Sequence, residues 1–314
     1  MMLGGTVKIG CCLLCLLLAL PVVARPPSVL AGNLTSSGSD TLANMMTLWA
    51  ADFTGDHPEV RVQIQAAGSA TAATALASGT AQIGPMSRVM TAPEIAAFRR
   101  HYGYEPLAVP VALDALVIVV NQDNPLPFIT LRQLDAVFST TRNCGETRAV
   151  KNWGGLGLEG DWRGMTLVRY GRNSASGTYG FFRQRVLCAG DMLPSVNELP
   201  GSASVAQAVA AAANAIGYAS MGFHATGVRI VPLTDEQGRR VAPDETTLRN
   251  GEYPLMRYLY LYINKAPDKP LEPVTAAFMD QILSPAGQRR ARQGGYQPLP
   301  EPVRIQARRD MGLE

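Results

Sequence analysis

Two long apolar stretches, 107–120 and 255–264, constrain the fold of this 314-residue chain more than any other feature. The first carries Val109, Val111, Val117, Ile118, Val119 and Val120, the second Leu259-Tyr260-Leu261-Tyr262-Ile263. Runs so rich in β-branched and aromatic residues suit strands covered on both faces. Around them shorter strands alternate with helices, which argues for parallel α/β sheets. The length is too great for one ordinary core and comfortable for two α/β domains. If each long strand crosses between lobes, the outer thirds form one domain, 32–115 with 258–314, and the middle third, 116–257, the other. A ligand is then enclosed in the cleft between them. Asp114 sits inside the first run; a buried carboxylate without a partner is costly, so it should face a cavity or a donor.

Apolar spacing predicts helices over 42–53, 70–76, 93–102, 131–138, 179–187, 205–213 and 273–283, with a terminal helix from 288 onward. Strands are predicted over 60–65, 83–86, 165–170, 215–219 and 228–233. The segment before 42 reads as a polar lead-in, 143–163 as a loop and 235–250 as a polar excursion.

The first residues set the compartment. Lys8 precedes an apolar run, 9–20, that is too short to span a membrane comfortably, and Pro21 follows it. Val22-Val23-Ala24 and Val29-Leu30-Ala31 both offer small-residue cleavage sites, so 1–31 reads as a secretory signal peptide rather than a membrane anchor. Its removal takes Cys11, Cys12 and Cys15 and leaves Cys144 and Cys188. An even pair in an exported protein points to a disulfide, with free thiols as the alternative.

A hydrophobic content of 47% and a net charge of +3 describe a folded chain with no reason to bind nucleic acid. Its histidines, His57, His101 and His224, are scattered, which argues against a metal site or a histidine-dependent triad. Gly155-x-Gly157-x-x-Gly160 follows no strand and opens no helix, so it reads as a turn rather than a dinucleotide loop.

The chemistry gathers in three short stretches. Arg172-Asn173-Ser174-Ala175-Ser176-Gly177-Thr178 leads into an amphipathic helix, and Gly38-Ser39-Asp40-Thr41-Leu42 and Gly68-Ser69-Ala70-Thr71 lead into two more. A helix start carries unpaired N–H groups and about half a positive charge, a ready anion site. Arg172 adds a planar, always-charged fork suited to a tetrahedral oxyanion, and Arg88 is a second candidate. Any one of these hydroxyls alone reads as a helix cap. Three glycine-flanked starts together with an arginine point instead to convergence on one small anion.

These stretches, with Gly84-Pro85-Met86-Ser87-Arg88, Ala215-Ile216-Gly217-Tyr218 and Tyr296-x-Pro298-Leu299, resemble the periplasmic phosphate-binding proteins of ABC transporters, in the same order along the chain. The resemblance implies a two-lobed Venus-flytrap fold hinged on two crossing strands. It also implies capture of inorganic phosphate in the periplasm and delivery to a membrane permease, by a monomer, without catalysis or cofactor. By motif position it assigns Thr41, the Leu42 amide, Ser69 and Ser87 to the first lobe's share of the ligand. Arg172, Ser176, the Gly177 amide and Thr178 form the second lobe's share.

Two positions depart from the family pattern. An aspartate that accepts the ligand's proton is replaced by Ser87, and an aspartate that pairs with the arginine by Ser174. An acceptor carboxylate is what rejects fully ionised sulfate, since a buried unmatched acceptor is penalised. Asp40 or Asp114 then has to supply it, unless Ser87, which can accept as well as donate, suffices. Three other readings remain: a binding protein for another oxyanion such as sulfate, a secreted hydrolase using Ser176 or Ser39, and a surface adhesion module that binds no ion.

Overall fold

The computed structural model describes Met1 and residues 29–313, apart from His224 and Glu236. Nearly all of residues 1–31, expected from the sequence to be a signal peptide, lie outside the described residues, including Cys11, Cys12 and Cys15, as does His224. The chain runs β1 (Gly32–Ser37), α1 (Ala43–Asp56), β2 (Val60–Gln65), α2 (Ser69–Ala77), β3 (Ile83–Met86) and α3 (Ala92–Tyr102) into the first long strand, β4 (Leu107–Asn121). Then come β5 (Ile129–Thr130), α4 (Leu131–Phe138), β6 (Val168–Arg172), α5 (Gly177–Arg185), β7 (Asn197–Leu199), α6 (Ser202–Ala210), β8 (Ala215–Ser220) and β9 (Val228–Val231). β10 (Leu233–Thr234), β11 (Arg240–Val241) and α7 (Glu245–Arg249) precede the second long strand, β12 (Met256–Ile263). After it follow α8 (Pro273–Ile282), α9 (Pro285–Gln293) and α10 (Glu301–Met311).

The main sheet is ordered β2-β1-β3-β12-β4-β8-β6-β7, with β9 also paired to β4, and β11-β10-β5 form a small second sheet. β4 changes partners halfway. Leu107–Ala115 pairs antiparallel with β12, and from Leu116 onward the same strand pairs with β8 and β9. One continuous strand therefore belongs to both α/β lobes of the fold. Two separate cores flank this crossing. One joins Leu34, Trp49, Val109, Leu261 and Phe278, and the other joins Val117, Phe138, Trp153, Phe182 and Tyr218. A smaller cluster of Ala72, Leu76, Met86 and Phe98 packs α2 and α3 beneath β3.

Some elements differ from the sequence reading. The polar lead-in is β1, parallel to both β2 and β3, with Ser36 and Ser37 buried. Small polar side chains hide a strand whose face is pressed close to neighbouring backbone, because they give no apolar alternation. β6 starts later than expected and ends on Arg172 itself, so the arginine is the last strand residue and not the first of the loop. The terminal helix is two: Gly295, at φ 90°, turns the chain after α9, and Pro302 lies in the first turn of α10. The 155–160 glycines form a turn as expected, with Gly157 and Gly160 at φ 88° and 62°.

Cys144 and Cys188 are disulfide-bonded, their Cα atoms 5.4 Å apart, and tie the loop after α4 to the end of α5. On the chain-entropy model a loop of this size is worth about 4 kcal/mol. The Cys144→Ser, Cys188→Ser double variant should therefore melt roughly 10 °C lower. A reductant should lower the melting of the native chain similarly, and an unchanged transition would show that the bridge carries no stability. Among the described residues no helix is long and apolar enough to cross a membrane.

Candidate anion site

β1, β2 and β3 run parallel, and β6 runs parallel to β7 and β8. The carboxyl ends of parallel strands, where loops feed into helix starts, are where open α/β sheets take ligands. Here those ends deliver Ser39 and Thr41 after β1, Ser69 after β2, Ser87 after β3, and Ser176 and Thr178 after β6, all of them buried. The first four come from the β1–β3 side of the crossing strands and the last two from the β6–β8 side.

The two sets meet. Thr41 Oγ1 and Thr178 Oγ1 are 3.1 Å apart, and the Ala70 amide donates to the Ala175 carbonyl at 3.1 Å. Ser39 Oγ donates to Ser87 Oγ at 3.1 Å, and Ser69 Oγ lies 3.5 Å from the same atom. Gly177 closes the group. A Cβ there would meet Ser69 Oγ, and would lie 2.5 Å from Ser87 Oγ. Gly68 has φ 121°, and a Cβ on it would come within 2.6 Å of the Ala175 carbonyl oxygen, so both its conformation and its space require glycine.

The cap reading is true of two hydroxyls, without removing them from the site. Ser39 Oγ accepts from the Thr41 amide at 3.2 Å, and Ser176 Oγ accepts from the Thr178 amide at 3.1 Å. A hydroxyl that accepts still has a proton to give, so Ser176 caps α5 and remains a donor. Ser69 Oγ likewise accepts from the Ser87 amide at 3.1 Å. The Leu42 amide faces its own turn, 3.3 Å from the Ser39 carbonyl.

Arg172 is buried, 1% exposed, and its fork is held from several sides. Nε reaches the Leu199 carbonyl at 3.3 Å, one terminal nitrogen reaches Ser202 Oγ at 3.1 Å, and the other the Pro200 carbonyl at 2.7 Å. The Arg172 amide donates to the Tyr218 hydroxyl. Its carboxylate partner is Asp40, at 2.7 Å. Asp40, from the β1 side of the seam, is thus the carboxylate beside Arg172. The pairing is one of charge, because both Asp40 oxygens are buried and neither receives an aligned hydrogen bond.

The remaining candidates divide. Ser174 is exposed. Arg88 makes a two-pronged pair with Glu94, both contacts 2.7 Å, and is not gathered with the buried hydroxyls. Burial raises the Glu94 carboxyl, but Arg88 and Thr91 outweigh it and hold the group below its ordinary value. Asp114 faces a donor, as its burial required: Arg257 donates to one oxygen at 2.9 and 2.7 Å, and Ser220 to the other at 2.8 Å. Burial pushes the Asp114 carboxyl up and the Arg257 charge pulls it back. With its oxygens engaged, Asp114 is a poorer free acceptor than Asp40.

Arg257 was missed by the sequence reading. It lies on β12, is 4% exposed, and donates to Thr178 Oγ1 at 3.0 Å. The signal was available, since a lone arginine in an otherwise apolar strand needs a buried partner, and Asp114 needed one too.

Two α/β lobes joined through the shared strand β4, with helix starts from both gathered at the seam, define a solute-binding protein. The comparisons agree: the PBP superfamily domain matches residues 24–286. The phosphate-binding protein PstS of Pseudomonas aeruginosa is 51% identical, over 94% of this chain and 91% of the relative. PstS of Staphylococcus aureus strain MRSA252 is 24% identical over 87% and 80% of the two chains. Among solved structures, a substrate-binding protein of Clostridium perfringens with bound phosphate aligns with TM-score 0.72 at 23% identity, covering 86% of this chain and 100% of that one. An ABC-type phosphate transport receptor from Vibrio cholerae aligns with TM-score 0.68 at 22% identity, covering 85% and 100%. The chain belongs to the PBP superfamily and, within it, to the PstS family of binding proteins, which are not enzymes.

Proposed function

We propose that this protein binds inorganic phosphate in the periplasm and delivers it to the membrane permease of an ABC transporter. The observation that carries the reading is the meeting of Thr41 and Thr178 at 3.1 Å, buried, beside Ser69 and Ser87 and at the start of α5. Such a seam offers hydroxyl protons, helix-start amides and a guanidinium, and a bare tetrahedral anion needs all three. In this reading the ligand set is Thr41, Ser69, Ser87, Arg172, Ser176, the Gly177 amide and Thr178, with the Leu42 amide shared between the ion and the Ser39 carbonyl. The lobes divide at 115/116 and 257/258, in keeping with the two separate cores. Residues 1–31 direct export and are removed. The names of the relatives support phosphate, and those of the solved structures add ABC transport.

Asp40 is the acceptor that Ser87 and Ser174 do not supply. Its two carboxylate oxygens are buried and lack hydrogen bonds, and Arg172 lies 2.7 Å from one of them. An ion that brings a proton can satisfy such an oxygen, which phosphate does at neutral pH and sulfate does not. Competition binding tests this. In the native protein a hundredfold excess of sulfate should leave phosphate binding unchanged. Asp40→Asn should weaken phosphate about tenfold or more and let sulfate compete, because the amide can donate. Sulfate displacing phosphate from the native protein at comparable concentration, or an Asp40→Asn variant indistinguishable from it, would overturn this assignment.

A further inference from the structure

β4 and β12 lie side by side, and in their register Asp114 stands opposite Arg257 at the point where β4 changes partners. Both side chains are buried. Well-packed apolar residues often serve stability as well as a buried ion pair does, so the pair calls for another reason. The rest of the guanidinium supplies it. One terminal nitrogen donates to the Ser87 carbonyl and the other, shared with Asp114, to Thr178 Oγ1, both at 3.0 Å. A single side chain at the strand crossing therefore touches one site residue from each side of the seam.

We infer that Arg257 is a positioning residue of the anion site, one that fixes which way the Thr178 hydroxyl points. This rests on the phosphate-binding reading above. A guanidinium only donates, so Thr178 Oγ1 must accept from it. The one hydroxyl proton is then directed elsewhere, toward Thr41 Oγ1 at 3.1 Å and any anion oxygen the two hydroxyls share. The same fork anchors the Ser87 carbonyl, while the Ser87 amide donates to Ser69 Oγ and leaves the Ser69 proton free for the ligand. Asp114 balances the charge, so Arg257 orients donors without being one of the anion's own partners. Tyr296 supports the other hydroxyl of the pair, donating to the Thr41 carbonyl from a fully buried position.

A double-mutant cycle read by phosphate calorimetry tests the inference. Arg257→Lys keeps the charge beside Asp114 but cannot hold Ser87 and Thr178 at once, and should weaken phosphate binding about tenfold. In a Thr178→Val background, where only the Ser87 anchor is left to lose, the same change should cost clearly less, about threefold or below. The paired exchange Asp114→Asn with Arg257→Gln removes the buried charges together and carries the cycle if the lysine variant does not fold. Native affinity in the Arg257 variants, or equal penalties with and without the Thr178 hydroxyl, would overturn the inference. Failure of the unmodified protein to bind phosphate is a different result, and would remove the reading on which it rests.

Discussion

Replacing Gly177 with alanine should abolish phosphate binding while the fold stands. Gly177 is the first residue of α5, where alanine is no worse a helix former than glycine. Its backbone has no positive φ to lose. The damage lies in the added methyl, which would fall on Ser69 Oγ and within 2.5 Å of Ser87 Oγ. Ser69 opens α2 and Ser87 follows β3, and the Ser87 amide donates to Ser69 Oγ, so displacing either hydroxyl disturbs the other. The methyl also occupies space the ligand needs. We expect binding at least about a hundredfold weaker, the equivalent of roughly 3 kcal/mol. Calorimetry paired with thermal melting checks both halves: affinity within a few-fold of the native protein would contradict the placement of Gly177 against the bound anion.

Arg172→Ala should be as damaging for a different reason. The substitution removes the guanidinium from the anion, worth about 1.5–3 kcal/mol for a charge-assisted bond. It also strips Asp40 of its ion-pair partner beside an anion site, and stripping one partner from a buried pair costs about 3–5 kcal/mol. The Asp40 side chain keeps 15% of its surface, which moderates that figure. Binding should fall a hundredfold or more. Affinity within about threefold of native in Arg172→Ala would exclude the arginine from the ligand's surroundings.

Much of this was legible in the sequence because it rests on local chemistry. Glycine, serine and threonine at a strand-to-helix junction dictate an anion-ready helix start wherever the junction lies, and each of the three starts was visible as a short word. The long strands were equally plain, since continuous β-branched runs admit few alternatives. What escaped depends on contact between distant segments. β1 carries one apolar residue, Leu34, in GNLTSS, so nothing in its own composition marks a strand lying between two others. Arg172 and Asp40 are far apart in sequence, and only the closed seam brings them to 2.7 Å. Asp114 was flagged as needing a donor, yet the donor stands on the other long strand, where Arg257 passes as one polar residue among tyrosines and leucines. Register decides that pairing, and register is set by partners that a single strand does not name.

The central claim is that this seam closes on one phosphate ion. Calorimetric titration of purified residues 32–314 with inorganic phosphate at neutral pH tests it most directly. The account predicts one site per chain and a Kd of about 1 μM or tighter, about −8 kcal/mol. No saturable heat up to millimolar phosphate would contradict it.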